Sequence, residues 1–312
     1  MAMLLVTGLM ILSGCTSSAQ GQLEQQALGQ EAEHAGLRSL TVYFATCNGY
    51  MVPISYPFDD SSGDPIKVAT ELLLEGPKTE VLFRTIPKGT RLKNCYVSNE
   101  TVFVDFTSEF NKLVNKKDAT KAVKSLCLTL GSIPGVEMVQ VLIEGKPIEE
   151  IQGIYMNQVL KHSWVNYFGN GDTASKYVVY FADTSGAYMV PVTYGAESSN
   201  GIPRKAVERL VAGPQEDSLS AALWPGTRLL DFKIEDGIVY VDFSKKLTAH
   251  GGNITGESLF IKSLLLTMGQ FSDIKGVQIL IEGEIMEYLP EGTQVGVPLT
   301  PLREANPFDE VQ

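Results

Sequence analysis

The block Val42-Tyr43-Phe44-Ala45 returns 137 positions later as Val179-Tyr180-Phe181-Ala182, and it is the first of an ordered series. Tyr50-Met51-Val52-Pro53 returns as Tyr188-Met189-Val190-Pro191, Gly76-Pro77 as Gly213-Pro214, and Gly89-Thr90-Arg91-Leu92 as Gly226-Thr227-Arg228-Leu229. Val102-Phe103-Val104-Asp105-Phe106 then matches Val239-Tyr240-Val241-Asp242-Phe243, and Val139-Gln140-Val141-Leu142-Ile143-Glu144-Gly145 matches Val277-Gln278-Ile279-Leu280-Ile281-Glu282-Gly283. Matches that keep their order with only one-residue slips over roughly a hundred positions are not chance. The period is too long and the copies too few for a solenoid, so one small domain has been duplicated in tandem.

Each copy reads as ββαββαβ. Leu40 to Ala45 and Met51 to Tyr56 are β-rich runs around a Cys47-Asn48-Gly49 turn, as in a hairpin. Asp64 then Pro65 supplies a helix cap and a first-turn proline, Ile66, Ala69, Leu72 and Leu73 share one helical face, and Gly76-Pro77 stops it. A second hairpin turns at Asn99-Glu100 in one copy and at Asp236-Gly237 in the other. Ala119, Ala122, Val123, Leu126, Cys127 and Leu130 keep helical spacing, as do Phe260, Ile261, Leu264, Leu265 and Met268, which marks the main core-facing helix. The nearly all-apolar runs 139–143 and 277–281 fit a strand central in a sheet. The fold class is α+β: two tandem repeats, each a small sheet packed by two helices, with two modest cores.

Outside the copies, Met3 to Leu12 is an apolar run too short for the roughly 20 residues that span a bilayer, as in a secretion signal. Leu12-Ser13-Gly14-Cys15 follows it and resembles a bacterial lipobox, which makes Cys15 the lipid-attachment residue and the mature N-terminus. The organisation is therefore a signal peptide and lipobox at 1–15, a flexible tether at 16–38, a first domain at 39–150, an interdomain segment at 151–175, a second domain at 176–289 and an extended tail at 290–312. The tether lacks the apolar residues needed to offset the entropy of ordering. In the interdomain segment Tyr155, Trp164, Tyr167 and Phe168 are suited to packing a linker onto a neighbouring domain. A net charge of −11 argues against nucleic acid and anionic headgroups as main partners of the chain as a whole and favours basic surfaces.

Catalytic groups are not gathered by the pattern. His34, His162 and His250 have no histidine counterpart in the other copy and no metal spacing. Cys47, Cys95 and Cys127 all lie in the first copy without a CxxC pair; Cys95 aligns with Phe232 and Cys127 with Leu265, so both read as small core residues, while Cys47 sits in a turn. The carboxylates shared by the copies, Asp105 with Asp242 and Glu144 with Glu282, stand at strand ends where capping of backbone amides is the expected role, with Arg91 and Arg228 as possible ion-pair partners. No catalytic, metal-binding or cofactor-binding residue is assigned.

The repeated blocks, with Leu74-Glu75-Gly76-Pro77 and Pro87-Lys88-Gly89-Thr90-Arg91-Leu92, resemble the GerM domain family over roughly residues 38–150 and 175–290. That resemblance implies a lipoprotein of endospore-forming bacteria, placed in the space between the two membranes around the forespore and associated with localisation of the SpoIIIA–SpoIIQ channel complex. The αββαβ portion is similar to the ring-building motif of secretion-system rings; the two leading strands depart from it. The expectation is a non-catalytic, membrane-anchored protein that binds envelope proteins, with Tyr50, Tyr188 and Trp164 as candidate contacts. Two other readings are a peptidoglycan-binding module using the same aromatics and a wall hydrolase using Asp105 or Asp242.

Overall fold

The computed structural model describes residues 37–59, 61, 63–159, 164–167, 173–248 and 254–308. The apolar leader, Cys15, most of the tether, Phe168 and all three histidines lie outside the described residues.

The first copy runs β1 (Leu37–Ala45), β2 (Met51–Asp59), α1 (Pro65–Glu75), β3 (Leu92–Ser98), β4 (Thr101–Phe106), α2 (Lys116–Gly131) and β5 (Met138–Ile143). Four short strands follow: β6 (Lys146–Pro147), β7 (Glu150–Ile151), β8 (Ile154–Tyr155) and β9 (Asn157–Val159). The second copy runs β10 (Ser175–Asp183), β11 (Met189–Ala196), α3 (Ile202–Ala212), β12 (Leu219–Ser220), β13 (Leu229–Glu235), β14 (Ile238–Phe243), α4 (Ile254–Gly269) and β15 (Gly276–Ile281). Both follow ββαββαβ, with β12 added.

Local chemistry explains the boundaries. Asp64 caps α1 by accepting from Ile66 N, Pro65 fills a position that needs no amide donor, and Gly76 ends the helix at φ 79°. Asn115 caps α2 in the same way through Asp118 N. All six residues expected on the core face of α2 are buried.

The strands of each copy divide between two small sheets. β1 pairs with β2 and β10 with β11, both antiparallel; the other sheets run β3-β4-β5-β6, with β9 also on β5, and β13-β14-β15. The second helix of each copy carries the chain from β4 to β5, or from β14 to β15, so these pairs are parallel. Phe106 and Phe243 are fully buried at matching positions, each contributing about 2–3 kcal/mol of burial. Phe110 stacks on Phe106 at 4.9 Å, whereas Phe260 meets Phe243 edge-on at 5.6 Å. The counterparts of these two rings are Leu247 and Ala122, so one phenyl has moved from turn to helix while the core stays filled.

Two separate cores are not what forms. One continuous apolar cluster includes Val42, Phe44, Val104 and Leu126 together with Val179, Phe181, Val241 and Leu264. Strands β2 and β11 show why, since residues 51–56 and 189–194 are buried on both faces. One face covers its own copy's core, and the other covers the hairpin of the other copy.

Residues 290–308, expected as an extended tail, turn at Gly292 and are built into the body. Leu299 exchanges backbone hydrogen bonds with Val277, Leu302 N donates to Leu265 O, and Val295 and Ala305 are buried. Glu257, 3% exposed, fixes the start of this strap by accepting from Glu291 N and Thr293 N at 3.0 Å each.

Candidate functional site: the seam between copies and the free sheet edges

The three aromatic candidates separate. Tyr50 is 8% exposed and Tyr188 is 2% exposed, so an outward-facing platform at these tyrosines is replaced by a role in joining the copies. The Tyr188 hydroxyl donates to Thr79 Oγ1 at 2.8 Å, in the loop after α1 of the first copy. Tyr50 makes the reciprocal reach, hydrogen bonding to Ser218 in the loop after α3. Each side chain is apolar along its ring and polar at its tip, which suits a seam that ends at a loop. Burial raises both phenol pKa values. Trp164 is 43% exposed, with the Lys176 ammonium 5.3 Å from its ring centre.

Two asparagines that the sequence reading passed over complete the seam with approximate twofold symmetry. Asn166 Oδ1 accepts from Met51 N at 2.8 Å, while Nδ2 donates to Met51 O at 2.8 Å and Pro191 O at 2.7 Å. Asn306 Oδ1 accepts from Met189 N at 2.7 Å, while Nδ2 donates to Pro53 O at 2.8 Å and Met189 O at 2.9 Å. The residues reached are repeat counterparts, Met51 with Met189 and Pro53 with Pro191. Both asparagines have positive φ, 48° and 52°, a region Asn tolerates better than other side chains. The preceding carbonyls are held alike, Val165 O by Thr193 Oγ1 and Ala305 O by Ser55 Oγ. Each copy is thus followed by a strap that ties it to the other hairpin. A sequence signal existed: Val165-Asn166-Tyr167-Phe168 and Ala305-Asn306-Pro307-Phe308 keep the Asn-x-Phe pattern.

The repeated carboxylates organise one turn. Glu144 and Gly145 have φ 51° and 77°, and Glu282 and Gly283 have φ 52° and 83°, the two left-handed positions of a type I′ turn. Asp105 and Asp242 accept from the glycine amides at 2.9 Å. Glu144 accepts from Ser108 N at 3.0 Å, and Glu282 from Lys245 N at 2.7 Å. These bonds offset the strain of a glutamate at positive φ. Lys93, and not Arg91, pairs with Glu144, and the Lys93 hydrogen bond with the Ser108 amide lowers the Glu144 pKa. Among the described residues no ion pair joins Arg91 or Arg228 to these acids. Cys127 is buried, which pushes its thiol to about 12; Cys95 is partly buried and Cys47 exposed.

Sheet edges are also exposed. β3 and β13 end their sheets, with no further strand beside them among the described residues. Unpaired edges template strand addition, and charges on them discourage it. β13 carries three charges, Asp231 and the paired Lys233 and Glu235, whereas β3 carries one, Lys93, paired with Glu144. On β3, Tyr96 and Val97 are 46% and 47% exposed, and Tyr96 stacks on Phe103 at 4.8 Å. The first copy therefore offers the less guarded edge.

Comparison with known proteins adds a relationship. The family model Germane, described as sporulation and spore germination, matches residues 41–149 and 178–287. The spore germination protein GerM of Bacillus subtilis is 26% identical over 314 aligned positions, covering 94% of this chain and 85% of that protein. A solved structure of the tandem GerMN domains of the sporulation protein GerM from Bacillus subtilis superposes with a TM-score of 0.62 at 24% identity, over 87% of this chain and 99% of that one.

Proposed function

The chain belongs to the Germane family, and we propose that it is a lipid-anchored assembly protein of the sporulation envelope that docks protein partners. The observation that carries the reading is the unguarded β3 edge, where Tyr96 and Val97 stand exposed on a sheet whose other strands are firmly paired. A partner strand laid against it gains main-chain hydrogen bonds, with Tyr96 and Phe103 as side-chain contacts. The chemistry is recognition and not turnover, because the repeated carboxylates are engaged in backbone capping.

In this reading Cys15 carries the acyl chains, and the body sits in the space between the membranes around the forespore. The partners are envelope proteins of the SpoIIIA–SpoIIQ channel complex. The αββαβ order of α1, β3, β4, α2 and β5 supports a docking surface of the ring-building type, while the leading hairpin that departs from that motif joins the two copies instead.

Crosslinking with mass spectrometry on membranes of sporulating cells tests this. Crosslinks from the β3 region to an envelope protein, lost in Tyr96→Ser and Val97→Lys variants of unchanged stability, are the expected result. Crosslinks indifferent to both changes would sink the edge reading. Retention on purified wall material that depends on Trp164 would favour glycan binding, a reading left with one exposed aromatic of its original three.

A further inference from the structure

The two copies differ where α2 begins. A polar cleft of about 270 Å³ is bordered by Lys88, Lys112 and Lys121, with Asp118 as its one acid. Asp118 is itself engaged, accepting from Asn115 Nδ2 at 2.8 Å. Lys116 and Lys117 extend the cluster onto the first turn of α2, where the helix dipole disfavours cations. None of these five lysines lies in an ion pair among the described residues. Helix stability therefore does not account for their placement. Between Lys112 and Lys116 stands Val114, 74% exposed.

The second copy does not keep these lysines. At the aligned positions Lys88 becomes Pro225, Lys116 becomes Ile254, Lys117 becomes Thr255 and Lys121 becomes Leu259. The corresponding cleft, about 240 Å³, is lined mainly by apolar residues, including Leu223, Trp224 and Phe260. The second copy sets its own lysines elsewhere, Lys245 and Lys246 at the positions of Ser108 and Glu109, so a lysine cluster at the cleft and the start of α2 is not a property of the repeat itself.

We infer that this face of the first copy rests on an anionic phospholipid surface, with the lysines on the headgroup phosphates and Val114 entering the interface. Lysines near an anionic leaflet add attraction one by one, and an exposed apolar tip among them distinguishes a lipid surface from a soluble anion. The first copy is also the one next to Cys15, so the proposal rests on the reading of Cys15 as the lipid anchor. The roughly twenty residues between Cys15 and β1 can span at most about 70 Å, so an acyl anchor keeps this copy within reach of the membrane. Acylation then fixes proximity, and the lysine face fixes orientation.

The test uses the chain from residue 15 with Cys15→Ser, which keeps every described residue, and vesicles of phosphatidylglycerol with phosphatidylcholine or of phosphatidylcholine alone. No other protein is present, so the result is independent of partner docking. Binding should favour the anionic vesicles at least about tenfold and fall away as salt screens the charges. The combined Lys112→Glu, Lys116→Glu and Lys117→Glu variant, all at exposed positions, should lose at least about tenfold. The matched reversal in the second copy, Lys245→Glu, Lys246→Glu and Lys275→Glu, should change binding less than about threefold. Val114→Ser, which leaves every charge in place, should weaken binding measurably, and equal melting temperatures for all variants confirm folding. No preference for anionic vesicles, equal losses from the two reversals, or binding of dextran sulfate in solution without vesicle binding would overturn the inference.

Discussion

Replacing Asn306 should destabilise the whole body, because this one side chain closes the seam on one side. Asn306→Ala removes three hydrogen bonds of 2.7, 2.8 and 2.9 Å and strands Met189 N, Met189 O and Pro53 O where Met189 is 3% exposed. At roughly 1 kcal/mol or more for each buried group left unpaired, the loss is about 3 kcal/mol. Alanine also meets a left-handed φ of 52°, adding roughly 1 kcal/mol that Asn306→Gly escapes. Urea unfolding should place the glycine variant about 3 kcal/mol and the alanine variant about 4 kcal/mol below the parent. Asn306→Asp gives a signed check. Its carboxylate keeps the Met189 amide but sets the second oxygen against two carbonyl oxygens, so ionisation is disfavoured and the folded pKa rises above the unfolded value. Stability present below that unfolded value, about 4, is lost as pH rises through the folded pKa, so the deficit grows from acid to neutral pH. Alanine and glycine variants within about 0.5 kcal/mol of the parent would refute the seam argument, since that is what an ordinary surface change costs.

Glu257→Ala should release the strap, costing about 3 kcal/mol for two hydrogen bonds to a carboxylate, with hydrogen exchange accelerating at the Glu291 and Thr293 amides; protection unchanged at both would contradict it. Alkaline pH should weaken the fold. Burial raises Tyr180 and Tyr56 to about 12 and raises Tyr43 with help from Tyr180, so stability present below the unfolded value of about 10 is lost as pH rises through the folded values. A urea midpoint that does not fall between pH 9 and 11 argues against this. Of the thiols Cys47, Cys95 and Cys127, a thiol reagent at neutral pH should label exposed Cys47 first and reach Cys127 only on unfolding.

The element order was legible because local signals agreed with the duplication. Asp64-Pro65 began α1, Asp236-Gly237 turned the second hairpin of the second copy, and the apolar spacing of α2 named its buried face. The seam was not legible for a physical reason. Alternation along β2 separates two faces of a strand but does not say that both will be covered, and Tyr50 and Tyr188 read equally well as surface aromatics or as buried rings with a polar tip. The tail misled differently, since proline-rich sequence fits extended chain whether it is solvated or pinned. Its pinning depends on single residues, Val295, Ala305 and Asn306, spaced without helix or strand periodicity. Blocks diverge after Glu144-Gly145 and Glu282-Gly283, so the Asn-x-Phe match beyond them stood isolated.

The claim that the duplicated halves form a single body is tested most directly by differential scanning calorimetry of the chain from residue 15 with Cys15→Ser. Shared burial at β2 and β11 predicts one unfolding transition whose calorimetric and van't Hoff enthalpies agree. Two resolved transitions, or one copy's amides staying protected from exchange after the other has unfolded, would contradict it.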